Sequence, residues 1–394
     1  MEYQPISSAF LNVTNSCNLN CRYCFTKKSS ESMSYEVAKR AADFLFENAK
    51  LDSTIPSITF FGGEPMLEWD RVVKPLCEYI RKTYHTDYLL SITTNGTLFT
   101  SDRLQFLKDV DCSILLSIDG AQKTQDLIRP CKANGISSYD CIRENIPELL
   151  RLFPSTTFRS TVTPETSAYL FDNMLESVSL GFRHYFVMPN CFEPWDNESK
   201  HNLQLAIKSY ADYYISFFEN NDKPLYFRSF EDNFKRIILL NDSIKNDLVR
   251  EAGVCKTCNK CGLGQSKYGA INWNGDILTC QEYFTYDYEK FLIGNIFDGV
   301  DSKKRAELKE LFQAKNIHSM GDECRECPLF RICDGGCIAN NYLRYGDLHA
   351  VSDIYCYWSK ILFEEAKRVA VYLGSINNQL FIERWRRVIY GTDY

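Results

Sequence analysis

Three cysteines near the N-terminus are the first residues whose type and spacing indicate chemistry. Cys17, Cys21 and Cys24 follow an apolar run in the pattern C-x3-C-x2-C. Thiols this close in sequence do not easily pair with one another in disulfides, but as thiolates they can bind three irons of a 4Fe–4S cluster. The fourth iron would then have no protein ligand and could bind a small molecule. The alternative is a zinc site completed by one distant ligand.

Most of the remaining cysteines lie toward the C-terminus of a chain that has 17 in all. The sequence has no N-terminal signal peptide and no run of 18 apolar residues, so we expect a cytoplasmic protein without a membrane span. Disulfides are disfavoured there, which leaves metal or cluster ligands as the leading interpretation. The C-terminal cysteines are Cys255, Cys258, Cys261, Cys280, Cys324, Cys327, Cys333, Cys337 and Cys356. Structural zinc is the alternative.

Glycine and polar residues follow three predicted strands. In Gly62-Gly63-Glu64-Pro65, the glycines let a ligand approach the backbone, and Glu64 offers a carboxylate to an ammonium group. Asn95 ends the next strand, and Ser117 and Asp119 end the one after it. Barrel folds place their chemistry in the loops at the carboxyl ends of parallel strands, so we expect these residues to share one site.

The first 190 residues alternate between apolar runs typical of strands and segments with helical spacing. Strands are predicted at 9–14, 57–61, 89–94, 112–118, 156–162 and 183–188. Helices are predicted at about 34–49, 69–84, 101–108, 138–152 and 164–180. Strands separated by helices imply parallel βαβ units. Six units fall short of the eight in a closed barrel, so the sequence predicts an α/β fold with a partial (β/α)6 TIM-like barrel.

Four regions are expected along the chain. Residues 1–194 form the barrel and residues 195–252 a mainly helical bridge. Residues 253–358 are rich in cysteine and glycine, which indicates a unit held by something other than a large apolar core. Residues 359–394 form a C-terminal helix and a basic tail.

The first cysteine motif resembles that of radical S-adenosylmethionine (SAM) enzymes, with Tyr23 as the aromatic residue of C-x3-C-x-aromatic-C. The resemblance implies a 4Fe–4S cluster whose open iron is chelated by SAM, and a 5′-deoxyadenosyl radical that abstracts hydrogen from the substrate. It assigns Glu64 to the methionyl amine and Arg159 to the carboxylate, although a structural ion pair is an alternative for Arg159. The implied SAM-binding residues are Tyr23, Gly62, Gly63, Glu64, Asn95, Ser117, Asp119, Arg159 and Met188.

The C-terminal cysteine spacing resembles the SPASM domain of radical enzymes that modify peptides and proteins. That resemblance implies two auxiliary 4Fe–4S clusters and therefore three clusters in the whole chain. The first auxiliary cluster would be held by Cys255, Cys261, Cys280 and Cys337. The second would be held by Cys324, Cys327, Cys333 and Cys356. Cys258 has no place in the pattern and competes with Cys255 as a ligand.

Relatives with two auxiliary clusters act on ribosomally made peptides or proteins. The first hypothesis is therefore oxidation of a precursor peptide, in which hydrogen abstraction leads to an intramolecular C–S or C–C crosslink. The second is an anaerobic sulfatase-maturating enzyme, which converts cysteine or serine to formylglycine. A third, of another class, is a non-catalytic iron–sulfur electron carrier, which would not explain the Gly-Gly-Glu-Pro motif.

The candidate catalytic residues are Glu282 and Tyr283, with Asp119 and Asp196 as alternatives. In the sulfatase-maturating enzyme that the chain resembles, an aspartate base directly follows the cysteine at position 280. Here that position is Gln281, and an amide has no useful basicity near neutral pH. The departure weakens the formylglycine hypothesis unless the side chain of Glu282 points inward.

The expected partners follow from charge and family. With 51 acidic and 45 basic residues the net charge is −6, so we expect no nucleic-acid partner. The resemblance implies a precursor peptide and a flavodoxin or ferredoxin as reductant. Only sixteen residues precede Cys17, so no leader-recognition domain is expected there. A leader would bind elsewhere on the chain, with the basic tail (Arg384, Arg386, Arg387) as one candidate, or through a separate leader-binding protein.

Overall fold

A single sheet with a parallel centre organises the chain in this computed structural model, which describes residues 5–220, 225–246, 267–313, 322–330, 333, 335–348 and 350–390. Its strands are β1 (Ser8–Thr14), β2 (Ser57–Gly62), β3 (Leu89–Thr94), β4 (Cys112–Ser117), β5 (Thr157–Val162), β6 (His184–Pro189), β7 (Tyr226–Phe227), β8 (Tyr268–Ile271), β9 (Asp276–Leu278), β10 (Leu292–Asn295) and β11 (Gly299–Val300). Their order is β11-β10-β9-β8-β1-β2-β3-β4-β5-β6-β7.

Strands β1 to β6 are parallel and lie side by side in chain order, which confirms the predicted α/β fold with its parallel barrel-type core. The sequence did not predict what lies beyond β1. Strand β8 pairs with β1 in parallel, with Ser8 opposite Tyr268, and β9 to β11 continue the sheet in antiparallel pairs. The strands that open the cysteine-rich region therefore extend the barrel sheet. The domain boundaries themselves stay a prediction.

Fifteen α-helices are present in the described part of the chain, and most of those in the first half connect consecutive strands. They are α1 (Tyr35–Leu51), α2 (Lys74–Thr83), α3 (Ser101–Asp109), α4 (Gln122–Ile128), α5 (Ser138–Arg143), α6 (Ile146–Leu152), α7 (Leu170–Ser179), α8 (Asn197–Glu219), α9 (Arg228–Asn246), α10 (Tyr288–Phe291), α11 (Ser302–Gln313), α12 (Asp322–Arg325), α13 (Ile338–Tyr345), α14 (Asp353–Ser375) and α15 (Gln379–Tyr390).

Local sequence explains where several helices begin and end. Ser34 caps α1 by accepting a hydrogen bond from the Val37 amide at 3.2 Å. The helix predicted over 138–152 is in fact two helices, α5 and α6, because Pro147 in the first turn of α6 has no amide hydrogen with which to continue the earlier helix. None of the helices in the described residues has the length and apolar character of a transmembrane span.

An aromatic layer joins α8, α9 and α15 and encloses one charged pair. Phe234 lies with its ring centroid 5.8 Å from that of Tyr214 and 5.6 Å from that of Phe381. Within the layer, Glu231 accepts hydrogen bonds of 2.7 Å from the Tyr214 hydroxyl and from Nη2 of Arg384. The side chain of Glu231 is 4% exposed, so Arg384 supplies the countercharge that its burial requires.

Replacing Arg384 with Met should lower the free energy of unfolding by about 3 kcal/mol, because Glu231 would be left buried without a countercharge. Chemical denaturation of the purified protein measures the change. Arg151→Met is a matched control, because it breaks an exposed Arg–Glu pair on α6 and should cost less than about 1 kcal/mol. Adding Glu231→Gln to Arg384→Met should recover part of the loss. Equal effects of the two arginine substitutions would contradict the prediction.

Candidate functional site

The cysteine loop follows β1 at the edge of the sheet where the parallel strands end. Cys17 and Cys21 are half-buried, whereas Cys24 is exposed. Residues 18–22 of the loop pair with residues 128–132 through three backbone hydrogen bonds of 2.8 to 2.9 Å. The segment that follows α4 thus holds the loop in place from one side.

The Gly-Gly-Glu-Pro segment holds the same loop from the other side. The amide of Gly63 donates to the carbonyl oxygen of Thr14 at 2.7 Å, and the amide of Glu64 donates to that of Ser16 at 2.8 Å. A Cβ atom on Gly63 would lie 2.1 Å from the Ser16 oxygen, and Gly62 has φ +136°, which disfavours any side chain. The two glycines are therefore needed for the loop to approach β2 this closely.

Glu64 is buried, and both oxygens of its carboxylate accept hydrogen bonds from the chain. It accepts hydrogen bonds from the Thr94 hydroxyl at 2.7 Å, the Asn95 amide at 2.8 Å and the Met66 amide at 3.0 Å. Burial raises its pKa to about 7, against the effect of these donors. In this structure Glu64 joins the ends of β2 and β3, and its predicted contact with a ligand ammonium group stays a prediction.

Asn95 connects the end of β3 to the cysteine loop. Its side-chain amide donates to Oδ1 of Asn18 at 2.9 Å and lies 3.9 Å from Sγ of Cys17. The predicted site residues that follow β2 and β3 thus contact the cysteine loop at and beside Cys17.

Asp119 forms a buried cluster with Tyr23 and with Arg129, a residue that the sequence did not single out. Its carboxylate accepts hydrogen bonds from the Tyr23 hydroxyl at 2.6 Å, from Nε and Nη2 of Arg129 at 2.9 and 3.2 Å, and from the Thr161 amide at 2.9 Å. Asp119 was predicted to bind SAM, but here its oxygens are taken by the chain. The cation of Arg129 offsets the cost of burying the Asp119 carboxylate, and no local sequence pattern pointed to it.

A cavity of about 320 Å³ lies beside this cluster, and several predicted site residues line it. Arg159 from β5 and Met188 from β6 face it, together with Tyr23, Glu282 and Cys337. Ser117 is half-buried opposite Arg159 in the sheet register but does not line the cavity. The lining of the cavity therefore includes residues from the cysteine loop, from strands β5 and β6, and from the cysteine-rich region.

The two candidate catalytic residues have different surroundings. Glu282 faces the cavity, and its pKa is raised by burial, an effect that the guanidinium of Arg159 opposes. Tyr283 is instead fully buried, with its ring stacked on that of Phe291 at a centroid distance of 3.6 Å. Since Tyr283 is absent from the cavity lining, Glu282 is the better placed of the two.

A second cavity of about 370 Å³ is lined in part by the same residues. Both cavities are bordered by Tyr23, Phe25, Asn190 and Phe192. The second also reaches Cys24 and the exposed ring of Tyr286. The two cavities together make an aromatic-lined cleft that runs past the cysteine loop.

The described C-terminal cysteines fall into two places. Cys280 is buried just before the turn that carries Glu282, and Cys337 lines the first cavity. Cys255, Cys258 and Cys261 lie outside the described residues. The pKa of Cys324 is raised by burial and then by the charges of Cys356 and Cys327, which places these three thiols near one another. Cys327 and Cys333 both pack against Leu329 and Phe363.

The donor set of these sites fits iron–sulfur clusters. Thiols are the ligands that such clusters prefer, and in a 4Fe–4S cluster each cysteine binds a different iron. Among the described residues, no three His, Cys, Asp or Glu side chains are gathered closely enough to hold one metal ion.

Comparison with known proteins agrees with this arrangement. Residues 11–175 match the family model of the Radical SAM superfamily. The chain is 24% identical over 383 residues to a cysteine-type anaerobic sulfatase-maturating enzyme of Clostridium perfringens (strain 13 / Type A), covering 92% of this chain and 96% of that one. It is also 24% identical over 417 residues to the radical SAM cyclopropyl synthase TigE of Paramaledivibacter caminithermalis, covering 94% and 76%.

Solved structures share the fold. Native anSMEcpe with bound AdoMet and Cp18Cys peptide superposes with a TM-score of 0.72 at 22% identity, covering 94% of this chain and all of that one. Streptococcus suis SuiB bound to its precursor peptide SuiA superposes with a TM-score of 0.60 at 16% identity, covering 90% and 76%. Together with the cysteine loop and its two glycines, the family match leads to one conclusion: the chain contains a radical SAM domain, which takes up residues 11–175.

Proposed function

We propose that the protein is a radical SAM enzyme that oxidises a peptide, removing two hydrogens from it and forming an intramolecular C–S or C–C crosslink. The observation that carries this proposal is the lining of the first cavity. Tyr23 of the cysteine loop and Arg159 of β5 line it, together with Glu282 and Cys337 of the cysteine-rich region. A substrate in this cavity would contact both the radical SAM domain and the proposed auxiliary-cluster region.

The proposed division of labour follows from this geometry. When bound, SAM and the iron–sulfur clusters would supply the radical that takes one hydrogen atom and the acceptor for the remaining electron. Glu282 would remove the second hydrogen as a proton at its carboxylate oxygen, since it is ionisable, partly buried and exposed to the cavity. Arg159 would hold Glu282 or a ligand carboxylate in place, because both face the same space.

The cleft favours a peptide substrate over a small metabolite. Its two cavities amount to several hundred cubic ångströms and share four lining residues, two of which are phenylalanines. Phe192 is 42% and Tyr286 51% exposed, so apolar rings are available to a side chain entering from solvent. Relatives with this fold have been crystallised with peptides, namely Cp18Cys with anSMEcpe and SuiA with SuiB.

Formylglycine formation is the second candidate, and the position of Glu282 is compatible with it. The base position that directly follows Cys280 is Gln281, whose Oε1 is paired with the Tyr268 hydroxyl. The next side chain, Glu282, does point into the cavity and could take over as base. Crosslinking and formylglycine formation both need a proton acceptor beside the hydrogen that is abstracted, so Glu282 serves either.

The cofactors and partners of the proposal are three 4Fe–4S clusters, SAM, a precursor peptide and a flavodoxin or ferredoxin reductant. A separate leader-binding protein is part of the proposal if the peptide carries a leader. The basic tail is a poorer leader site than the sequence indicated, since Arg384 already pairs with Glu231.

Iron content tests the cluster count. The anaerobically reconstituted protein should bind about twelve irons per chain, and Cys356→Ala should remove about four of them, because the second auxiliary cluster would lose a ligand. Cys141→Ala, which alters a half-buried cysteine of α5 outside the proposed ligand sets, is the control and should keep them all. About four irons accompanied by zinc in the unaltered protein would overturn the two auxiliary clusters.

Peptide mass tests the reaction. Co-expression with small cysteine- or aromatic-containing peptides encoded near its gene should give products lighter by about two hydrogens per site, and thiol alkylation should then separate a thioether from a C–C link. A cysteine converted to formylglycine would instead lose its sulfur, which the same spectrum reveals with a sulfatase-derived peptide. SAM cleavage with no change in any of these peptides would count against the proposed crosslinking.

The pH profile tests the base. A carboxylate base works only when ionised, and burial raises the pKa of Glu282 above the usual 4.5. Activity should therefore fall on the acid side as the pH drops through that raised value. Glu282→Gln should lower the rate of peptide modification about 100-fold, and the remaining activity should no longer fall at acid pH. The control Glu289→Gln, which alters an exposed carboxylate of α10, should change neither. If the activity of Glu282→Gln still fell at acid pH as in the unaltered protein, Glu282 would be excluded as the base.

A further inference from the structure

Arg129 lies between the cysteine loop and the end of β4, and its surroundings fix it there. Its own segment, 128–132, pairs with loop residues 18–22 through three backbone hydrogen bonds. Its side chain is 7% exposed and forms an ion pair with Asp119, whose side chain is 0% exposed. Because the backbone around Arg129 pairs with the loop and its side chain pairs with Asp119, its guanidinium has little freedom to rotate.

Each nitrogen of this guanidinium has a defined direction. Nε and Nη2 donate to the two oxygens of Asp119, which occupies one edge of the planar group. Nη1 is left on the other side and donates to Sγ of Cys21 at 3.9 Å. The ring of Tyr23 covers the guanidinium, with its centroid 5.2 Å from Cζ, and its hydroxyl donates to Asp119.

We propose that Arg129 is a positioning residue for the SAM-binding cluster: oriented by Asp119, it donates a hydrogen bond to Sγ of Cys21 and favours the reduced state of the cluster. The electron, supplied by the external one-electron reductant, adds negative charge to the cluster and its thiolate sulfurs. A donor fixed beside one of those sulfurs stabilises that charge, and hydrogen bonds to sulfur are among the factors that set cluster potentials.

The other charges near Cys21 do not replace this contact. The carboxylate of Asp119 and the thiol of Cys24 act against negative charge on Cys21, whereas the ammonium of Lys28 acts with Arg129. Lys28 donates instead to the carbonyl oxygen of Leu19 at 2.6 Å. Among the described contacts, Arg129 is the side chain that donates a hydrogen bond to Cys21 itself. The inference concerns the radical SAM domain and does not depend on which peptide is modified.

The test is an EPR-monitored redox titration of the holoprotein, following the cluster signal that changes when SAM is added. Arg129→Lys keeps the charge and can pair with Asp119, but one nitrogen cannot also reach Cys21. The proposal expects about a tenfold fall in the ratio of reduced to oxidised cluster at a fixed potential, equivalent to about 59 mV. The control Arg40→Lys changes a half-buried arginine of α1 that pairs with Glu47, and it should leave the potential unchanged.

A second variant is used if Arg129→Lys takes up too little of the SAM-binding cluster for a titration. Asp119→Asn combined with Arg129→Gln removes the guanidinium without leaving an unpaired carboxylate in the core. Because Asp119→Asn by itself removes a negative charge near Cys21, the double variant is compared with Asp119→Asn alone, relative to which its potential should shift in the same direction. A wild-type potential in loaded Arg129→Lys, or a double variant with the potential of Asp119→Asn alone, would overturn the proposal. Folded protein that binds no SAM-responsive cluster in both variants would also overturn it, because Arg129 would then be needed for cluster assembly rather than for its reduction.

Discussion

The ion pair between Asp119 and Arg129 is the interaction on which the site most depends. Burying two opposite charges is costly, and the cost is offset only when nearly every donor and acceptor is matched. Here the Asp119 carboxylate accepts four hydrogen bonds from three residues, which come from the loop, the α4 segment and β5. One carboxylate thereby fixes three separate parts of the chain around the cysteines.

The pairing of β8 with β1 sets the second half of the site. Through it, the strand that leads to Cys280 belongs to the same sheet as the barrel. Glu282 follows two residues later and meets Arg159 of β5 across the cavity. The distance between the radical SAM loop and the proposed base is thus governed by sheet hydrogen bonds rather than by a flexible linker.

Local patterns explain what could be predicted from sequence. The alternation of strands and helices is a property of short segments, and the parallel strands β1 to β6 lie where it predicted them. The cysteine spacing and the paired glycines are also short-range patterns, and both lie within the residues that match the family model. Arg129 has no such pattern, because its role arises only when its segment pairs with the loop. Glu282 and Tyr283 are adjacent, and no local signal decides which one faces the cavity.

Contacts between residues far apart in the chain could not be predicted, for the same reason. The β1–β8 pairing joins residues 260 positions apart, and nothing in the sequence of either strand identifies the other as its partner. The internal hydrogen bonds of Glu64 likewise depend on Thr94 and Asn95, at the end of another strand. The sequence predicted that Glu64 belongs to the site but not that its oxygens are engaged by the chain itself.

The same strand pairing has a consequence for biosynthesis. Strand β1 leaves the ribosome well before β8, so the partner for one of its edges is made some 260 residues later. Until then that edge presents unpaired amides and carbonyls beside the cysteine loop, and open edges favour association between chains. Production of this protein should therefore be sensitive to chaperone supply and translation speed during the interval before β8 emerges.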